Sequence, residues 1–198
     1  DSALPVPAIS GAASVCANEA GVSYSTTSGM NYYSWNVIGG TIASGTGSNT
    51  ITVNWANGNA GTVSLNYINT NGCTAASVTT YPVTINALPV PTITGPVSVC
   101  ANATGITYET EAVMTNYSWN VVGGTATGTN TNSITVDWGN GTSGSVSVNY
   151  KTPTGCTSVN PTEVIVGIST LQTPSITGNA TACVDNAVTY TTDAGMSN

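Results

Sequence analysis

Five cysteines and eight carboxylates carry most of the reactive chemistry in this sequence, which has one lysine, no arginine and no histidine. Cys16, Cys73, Cys100, Cys156 and Cys183 have no imidazole partner to make a thiolate nucleophile. No two of them stand in the Cys-x-x-Cys spacing of zinc or thioredoxin-type sites. Their positions recur instead: Cys16, Cys100 and Cys183 step by 84 and 83 residues, and Cys73 matches Cys156. Two cysteines per repeat at fixed positions imply a disulfide framework and an oxidising compartment. The expected pairs are Cys16 with Cys73 and Cys100 with Cys156, tying the start of each repeat to its last hairpin. Each bridge would stabilise its repeat by about 4 kcal/mol in the chain-entropy account. The alternative is a pair of reduced, buried thiols in each repeat.

The carboxylates do not recur in this way. Glu109 and Glu111 align with Ser25 and Thr27, Asp137 with Asn54, and Glu19 with Ala103. General acid–base catalysis by a group present in only one copy is a poor fit to a repeated unit, so no catalytic residue is assigned and the acids read as surface decoration. There is no Asp-x-Asp-x-Asp loop, and no metal ligand set or cofactor is assigned. The turns Asn57–Gly61 and Asn140–Gly144 could hold a weakly bound calcium ion, or simply turn the chain. An intramolecular isopeptide bond in each repeat would need a lysine in each, and the counterpart of Lys151 is Ile68. Asn-x-Ser/Thr triplets at Asn102, Asn116, Asn140 and Asn179 have no equivalents in the first repeat, as chance in an Asn- and Thr-rich chain would give.

The elements that position these groups also come in copies. Tyr33-Ser-Trp-Asn-Val-Ile-Gly-Gly-Thr41 returns as Tyr117-Ser-Trp-Asn-Val-Val-Gly-Gly-Thr125, with Trp35 and Trp119 84 residues apart. Trp55 matches Trp138, and Pro7, Pro91 and Pro174 keep the same step. The chain is therefore a tandem array: residues 4–87, residues 88–170, and the opening of a third module at 171–198. A third module ending there cannot close a core, so the sequence is expected to be a window on a longer polypeptide. Ala-Leu-Pro-Val-Pro at 3–7 and 87–91 supplies short, stiff linkers leading into an edge strand at Ile9 or Ile93. Strict alternation follows in Val22 and Tyr24; Tyr33, Trp35 and Val37; Ile51, Val53 and Trp55; Val63, Leu65 and Tyr67; and Tyr81, Val83 and Ile85. The second module mirrors each set. Nowhere does an apolar residue recur at helical spacing. About seven short strands per module predict an all-β fold of tandem antiparallel β-sandwiches, with Trp35, Trp55, Trp119 and Trp138 in the cores.

At Tyr-Ser-Trp-Asn-Val-x-Gly-Gly-Thr the chain resembles the PKD-like, immunoglobulin-like repeats of bacterial secreted and cell-surface proteins. The Trp and the closing Gly-Thr fit at Trp35, Gly40 and Thr41 and at Trp119, Gly124 and Thr125. The two aspartates of the PKD turn are replaced by Asn36 and Gly39, and by Asn120 and Gly123. With its cysteine pair and Ile-Thr-Val-x-Trp strand, the closer resemblance is to the cysteine-containing subgroup. That resemblance implies long extracellular surface proteins, the gliding-type adhesins of Bacteroidota among them. Asp1-Ser2-Ala3 is similar to the short O-glycosylation signal of the same group.

Composition and repetition bound the function further. A net charge of −7 with a single cation excludes a nucleic-acid footprint and argues against docking on anionic membranes. No apolar run is long enough for a membrane span. Scattered Thr-x-Thr pairs are too few for the flat ladder that ice binding needs. The chain is expected to be a non-enzymatic structural segment of an adhesin stalk or fibre, each module adding roughly 30–40 Å. Its expected partners are neighbouring repeats, like chains in a filament, and cell-surface or polysaccharide ligands. The alternative is a spacer or carbohydrate-binding module of a secreted hydrolase, which needs exposed aromatics. Tyr32 and Tyr81 are the candidates, but their counterparts are Asn116 and Val164.

Overall fold

Period-two alternation becomes eight strands in the first module of this computed structural model, which describes residues 3–170 and 172–194. They are β1 (Ser10–Gly11), β2 (Ser14–Cys16), β3 (Val22–Ser25), β4 (Asn31–Ile38), β5 (Gly40–Ser44), β6 (Thr50–Trp55), β7 (Ala60–Ile68) and β8 (Thr79–Asn86). Two four-stranded sheets, ordered β1-β3-β6-β5 and β2-β8-β7-β4, face each other. The second module repeats the plan with β9 (Ser98–Cys100), β10 (Ile106–Glu109), β11 (Thr115–Val122), β12 (Gly124–Thr127), β13 (Ser133–Trp138), β14 (Ser143–Lys151) and β15 (Thr162–Ser169). Its sheets run β10-β13-β12 and β11-β14-β15-β9, and its entering strand is reduced to a bridge between Thr94 and Glu109. This is an immunoglobulin-like sandwich, twice over. Beyond it, β16 (Ile176–Thr177) pairs with β17 (Thr191–Thr192). Among the described residues there is no helix long and apolar enough to cross a membrane. Asp1 and Ser2 of the glycosylation-like triplet, Leu171 and the last four residues lie outside the described residues.

Two features of the sheets depart from the sequence reading. Not every pair is antiparallel: β2 runs parallel to β8, and β9 parallel to β15. The chain enters along one sheet and crosses to the other after Gly11, so the next segment lies beside the last strand and runs in its direction. The second departure is β5, with its counterpart β12, at the edge of the first sheet. Their sequences, Gly-Thr-Ile-Ala-Ser and Gly-Thr-Ala-Thr, bury no side chain fully and so carry little alternation.

Each sandwich encloses its own core. Val53, Val63, Leu65 and Tyr24 are fully buried in the first, as are Val136, Val146, Val148 and Tyr108 in the second. Trp55 and Trp138 are 3 % exposed, and Trp35 and Trp119 lie at the core margin at 9 %. The rings of Tyr24 and Trp55 meet edge-on with centroids 5.9 Å apart, and those of Tyr108 and Trp138 at 6.1 Å. Tyr24 stacks over Gly11 so closely that a Cβ there would stand 2.2 Å from its Cδ1. Its hydroxyl donates to the Ala12 carbonyl (2.9 Å). Gly95 with Tyr108 and Gly178 with Tyr190 repeat the contact. The glycine after Ile-Ser or Ile-Thr is thus the seat of a tyrosine ring, and residues 176–192 repeat that seat.

Candidate functional site at the module junction

Cys16, Cys73, Cys100 and Cys156 sit at the ends of the two sandwiches. Cys16 closes β2 opposite Asn86, and the Ala17 N–H donates to the Asn86 carbonyl (2.8 Å). It therefore marks the exit of module one, where the chain leaves for Ala87–Pro91. Cys156 lies in the turn between β14 and β15. Just beyond that turn, Thr162 at the start of β15 donates its hydroxyl to the Pro91 carbonyl (2.6 Å). Cys156 therefore marks the entry of module two. The two sulfurs are bonded, with an S–S distance of 2.03 Å and Cα atoms 5.6 Å apart, across 140 residues of sequence. Cys156 is left 1 % exposed.

The expected pairs Cys16–Cys73 and Cys100–Cys156 are therefore corrected. The hairpin cysteine does receive a bond from a module's first cysteine, but from that of the preceding module. Cys73 and Cys100 are free thiols, as is Cys183. The physical reason is a parity of strands. From Cys16 the chain makes five passes, β3 to β7, before reaching Cys73, and an odd number ends on the opposite side. Pairing the cysteines by their recurrence, two to a repeat, takes no account of that placement. In the fold, the nine residues of β7 separate the two ends by about 30 Å. A bridge requires Cα atoms within about 7 Å.

The entry hairpins have a common hydrogen-bonded shape. In module one, the Asn69 N–H donates to the Cys73 carbonyl (2.9 Å) and the Cys73 N–H to Asn69 Oδ1 (2.8 Å). In module two, Thr152 replaces Asn69, with its N–H to the Cys156 carbonyl at 2.9 Å and the Cys156 N–H to Thr152 Oγ1 at 3.0 Å. The proline linkers are also docked. Pro7 and Pro91 are buried, and Thr79 Oγ1 donates to the Pro7 carbonyl (3.0 Å) just as Thr162 does to Pro91. Leu88 packs on the core of module one. Among the described residues the hydrogen bonds found stay within modules, and the linker and the disulfide cross the joint.

The acids have structural partners that sequence reasoning missed. Asp137 Oδ1 accepts the Gly105 N–H (2.7 Å), and Asn54 Oδ1 does the same for Gly21 (2.9 Å). Either side chain supplies the one acceptor needed, so a comparison of residue types hides a conserved contact. Glu111 accepts from the Thr92 N–H and hydroxyl, the latter at 2.6 Å, and from the Thr110 hydroxyl (2.7 Å). Partial burial works against its charged form, but these donors outweigh it and hold the carboxyl down at about 2. Burial pushes the Tyr24 hydroxyl up to about 12. Among the described residues no three His, Cys, Asp or Glu side chains gather as a metal site would require. The four Asn-x-Ser/Thr asparagines are exposed. Tyr81 is tied in, donating to the Gly11 carbonyl (2.8 Å), whereas Tyr32 is 82 % exposed.

The profile of the PKD-like domain matches twice, over residues 2–83 and 86–164. The chain belongs to the PKD-like domain family. No curated protein matches these PKD-like modules. Similar solved structures include the fibronectin(III)-like modules of Clostridium thermocellum CbhA, at 14 % identity over 83 % of this chain and 95 % of that one, TM-score 0.39. Domains 4 and 5 of the S-layer protein SbsC share 12 % identity over 85 % of this chain and all of that one, TM-score 0.34. SGBP-B of a Bacteroides ovatus mixed-linkage glucan utilization locus, solved with a heptasaccharide, shares 12 % over 89 % and 72 %, TM-score 0.31.

Proposed function

We propose that these PKD-like modules are a structural segment of a long extracellular bacterial surface protein, a stalk or fibre of the adhesin kind. The carrying observation is the disulfide between the exit of one module and the entry of the next. A bond at that place limits rotation at the joint and leaves each sandwich face unaltered, which suits a part whose task is length and stiffness. The bond also fits an oxidising compartment outside the cytoplasm. The chain is assigned no catalysis: Glu19, Glu111, Asp137 and Asp193 accept backbone N–H groups in turns and clasps, and the acids differ between the two complete modules. Its partners in this reading are the adjoining repeats and like chains alongside. Immunogold electron microscopy of the source cells, with antibody against residues 1–170, tests the reading. Label strung along filaments projecting from the envelope supports it. Label confined to culture fluid, co-purifying with a polysaccharide hydrolase, overturns it.

A second reading, a carbohydrate-binding spacer of such a hydrolase, has one observation in its favour. Tyr32 stands exposed beside a concavity of about 350 Å³ formed with Ser34, Asn66, Tyr67 and Thr74. Sedimentation with insoluble polysaccharide that is lost in Tyr32→Ala would support it, and unchanged sedimentation would remove it.

A further inference from the structure

We propose that the staple is a repeating bond: Cys100 is built to take the hairpin cysteine of a third module, and Cys73 the first cysteine of a preceding one. The inference rests on the reading of the chain as a tandem structural array and adds the covalent wiring of that array. Cys100 is the positional equivalent of Cys16. It closes β9 opposite Ser169 as Cys16 closes β2 opposite Asn86, and the Ala101 N–H donates to the Ser169 carbonyl at the same 2.8 Å. The turn after each is alike: the Ala103 N–H donates to the Cys100 carbonyl (3.1 Å) and the Glu19 N–H to the Cys16 carbonyl (3.1 Å). Asn18 and Asn102 both adopt positive φ there, 61° and 59°.

What differs is cover. Cys16 is half-buried in its bond, whereas Cys100 is exposed beside an open concavity of about 370 Å³. Val99, Ala103 and Ile106 give that concavity an apolar wall. At the other end, the Cys73 hairpin has the shape of its bonded counterpart but lacks the bond, and Cys73 is more exposed than Cys156. Each complete module thus presents one cysteine at entry and one at exit. The occupant of the Cys100 site is the hairpin of a third module, whose opening is already laid down. Ser175 and Asp193 repeat the Thr92–Glu111 clasp, and the Tyr190 hydroxyl reaches the Asn179 carbonyl (2.9 Å). Successive bonds would give overlapping loops, so every joint would be closed by a bond and each loop would enclose the next joint's exit cysteine.

The chemistry is thiol–disulfide exchange with a small disulfide such as oxidised glutathione. The Cys100 thiolate attacks it and releases one thiol; the hairpin thiolate then attacks the Cys100 sulfur of the mixed disulfide and releases the second. Two protein thiols are oxidised, one small disulfide is reduced to two thiols, and the two protons given up by the protein thiols are taken up, through solvent, by the departing thiolates.

The test completes the third module by appending after Asn198 a copy of residues 117–170, with the exposed Val159 of the copy replaced by Ile so that its hairpin peptide differs in mass from the native one, then oxidises the whole chain with a glutathione couple. The junction is mapped by non-reducing digestion and mass spectrometry. The expected result is two linked peptide pairs, Cys16 with Cys156 and Cys100 with the appended hairpin cysteine, with Cys73 and Cys183 open to alkylation. A bond between the appended cysteine and Cys183, or Cys100 alkylated while the appended module resists proteolysis, overturns the proposal. If the appended module is degraded, a chain with the same extension carrying Cys183→Ser is mapped, and alkylation of Cys100 there also overturns it. These failures leave a singly stapled stalk intact, whereas the cell-surface labelling above would fail independently.

Discussion

The two complete modules share a fold, a core and a pattern of turns, yet they fasten their entering segments differently. In module one, β1 is a paired strand held by the Tyr81 hydroxyl on the Gly11 carbonyl. In module two, the equivalent segment keeps one bridge and is held by the Glu111 carboxylate on Thr92. Position 81 is Tyr in one and Val164 in the other; position 111 is Glu in one and Thr27 in the other. The task recurs and the residue does not. Their cysteines show the converse: the residues recur, and only Cys16 and Cys156 are joined. Identity of residue and identity of role are separable in a repeat protein, because role depends on which neighbour is present.

The largest expected effect breaks the staple. Closing 140 residues into a loop is worth about 5 kcal/mol in the chain-entropy account. Replacing Cys16 and Cys156 by serine should cost up to about that much, shared between the two modules, in denaturant unfolding. Replacing Cys73 and Cys100 should change it little. Single-molecule extension from end to end gives a sharper reading. The intact bond hides 140 residues, about 500 Å of contour at ~3.6 Å each, which reductant should release. Two bonds within modules would hide only about 400 Å and would restore the corrected pairing.

The Gly–Tyr seat comes next and should treat both modules alike. Gly11→Ala and Gly95→Ala push a methyl group into Tyr24 and Tyr108, at 2.2 and 2.3 Å from their rings. Each should cost about 1–3 kcal/mol, read as the melting of its own module. A loss in module two alone would show that the paired β1 lets module one shift aside.

The clasps separate the modules by pH. Glu111 is held at about 2, below its ordinary value near 4.5, so its stabilisation is full above pH ~4.5. It is lost as pH falls through that interval towards 2. Linkage for such a shift would be about 3 kcal/mol without screening, and exposure to solvent reduces it to about 1 kcal/mol. Hydrogen exchange on the two modules should therefore show module two loosening between pH 4.5 and 2. Glu111→Gln should remove that dependence. The Tyr81 clasp has no carboxylate, and Tyr81→Phe should weaken module one by about 1 kcal/mol at both ends of that interval.

How much of this was legible follows from what alternation encodes. Ile51, Val53 and Trp55 are bulky, β-branched or aromatic on one face and polar on the other, so the strand and its buried face were readable. Gly40–Ser44 carries one sizeable apolar residue at a sheet edge, where a half-solvated strand needs no strong pattern. With β5 the passes between Cys16 and Cys73 number five, which places those cysteines at opposite ends, and assigning one bond to each repeat leaves that count out of account. Trp35, Trp55, Trp119 and Trp138 were readable because a core side chain answers to its own module's sequence. The bond partner of Cys156 answers to the module before it.

The smallest effect tests whether a charge that differs between the modules does anything that a neutral side chain cannot. Asp137 and Asn54 both present an Oδ1 to a glycine N–H, at 2.7 and 2.9 Å. A carboxylate acceptor makes a stronger bond in a dry site, but this turn lies at the surface, where water screens the extra charge. Asp137→Asn should leave module two within about 0.5 kcal/mol of its starting stability. Asp137→Ala removes the acceptor and should cost about 1 kcal/mol. Equal losses from both would mean that charge carries the contact. Module one, which has held the same turn with Asn54, would then need a compensating interaction that Gly21 and its neighbours do not display.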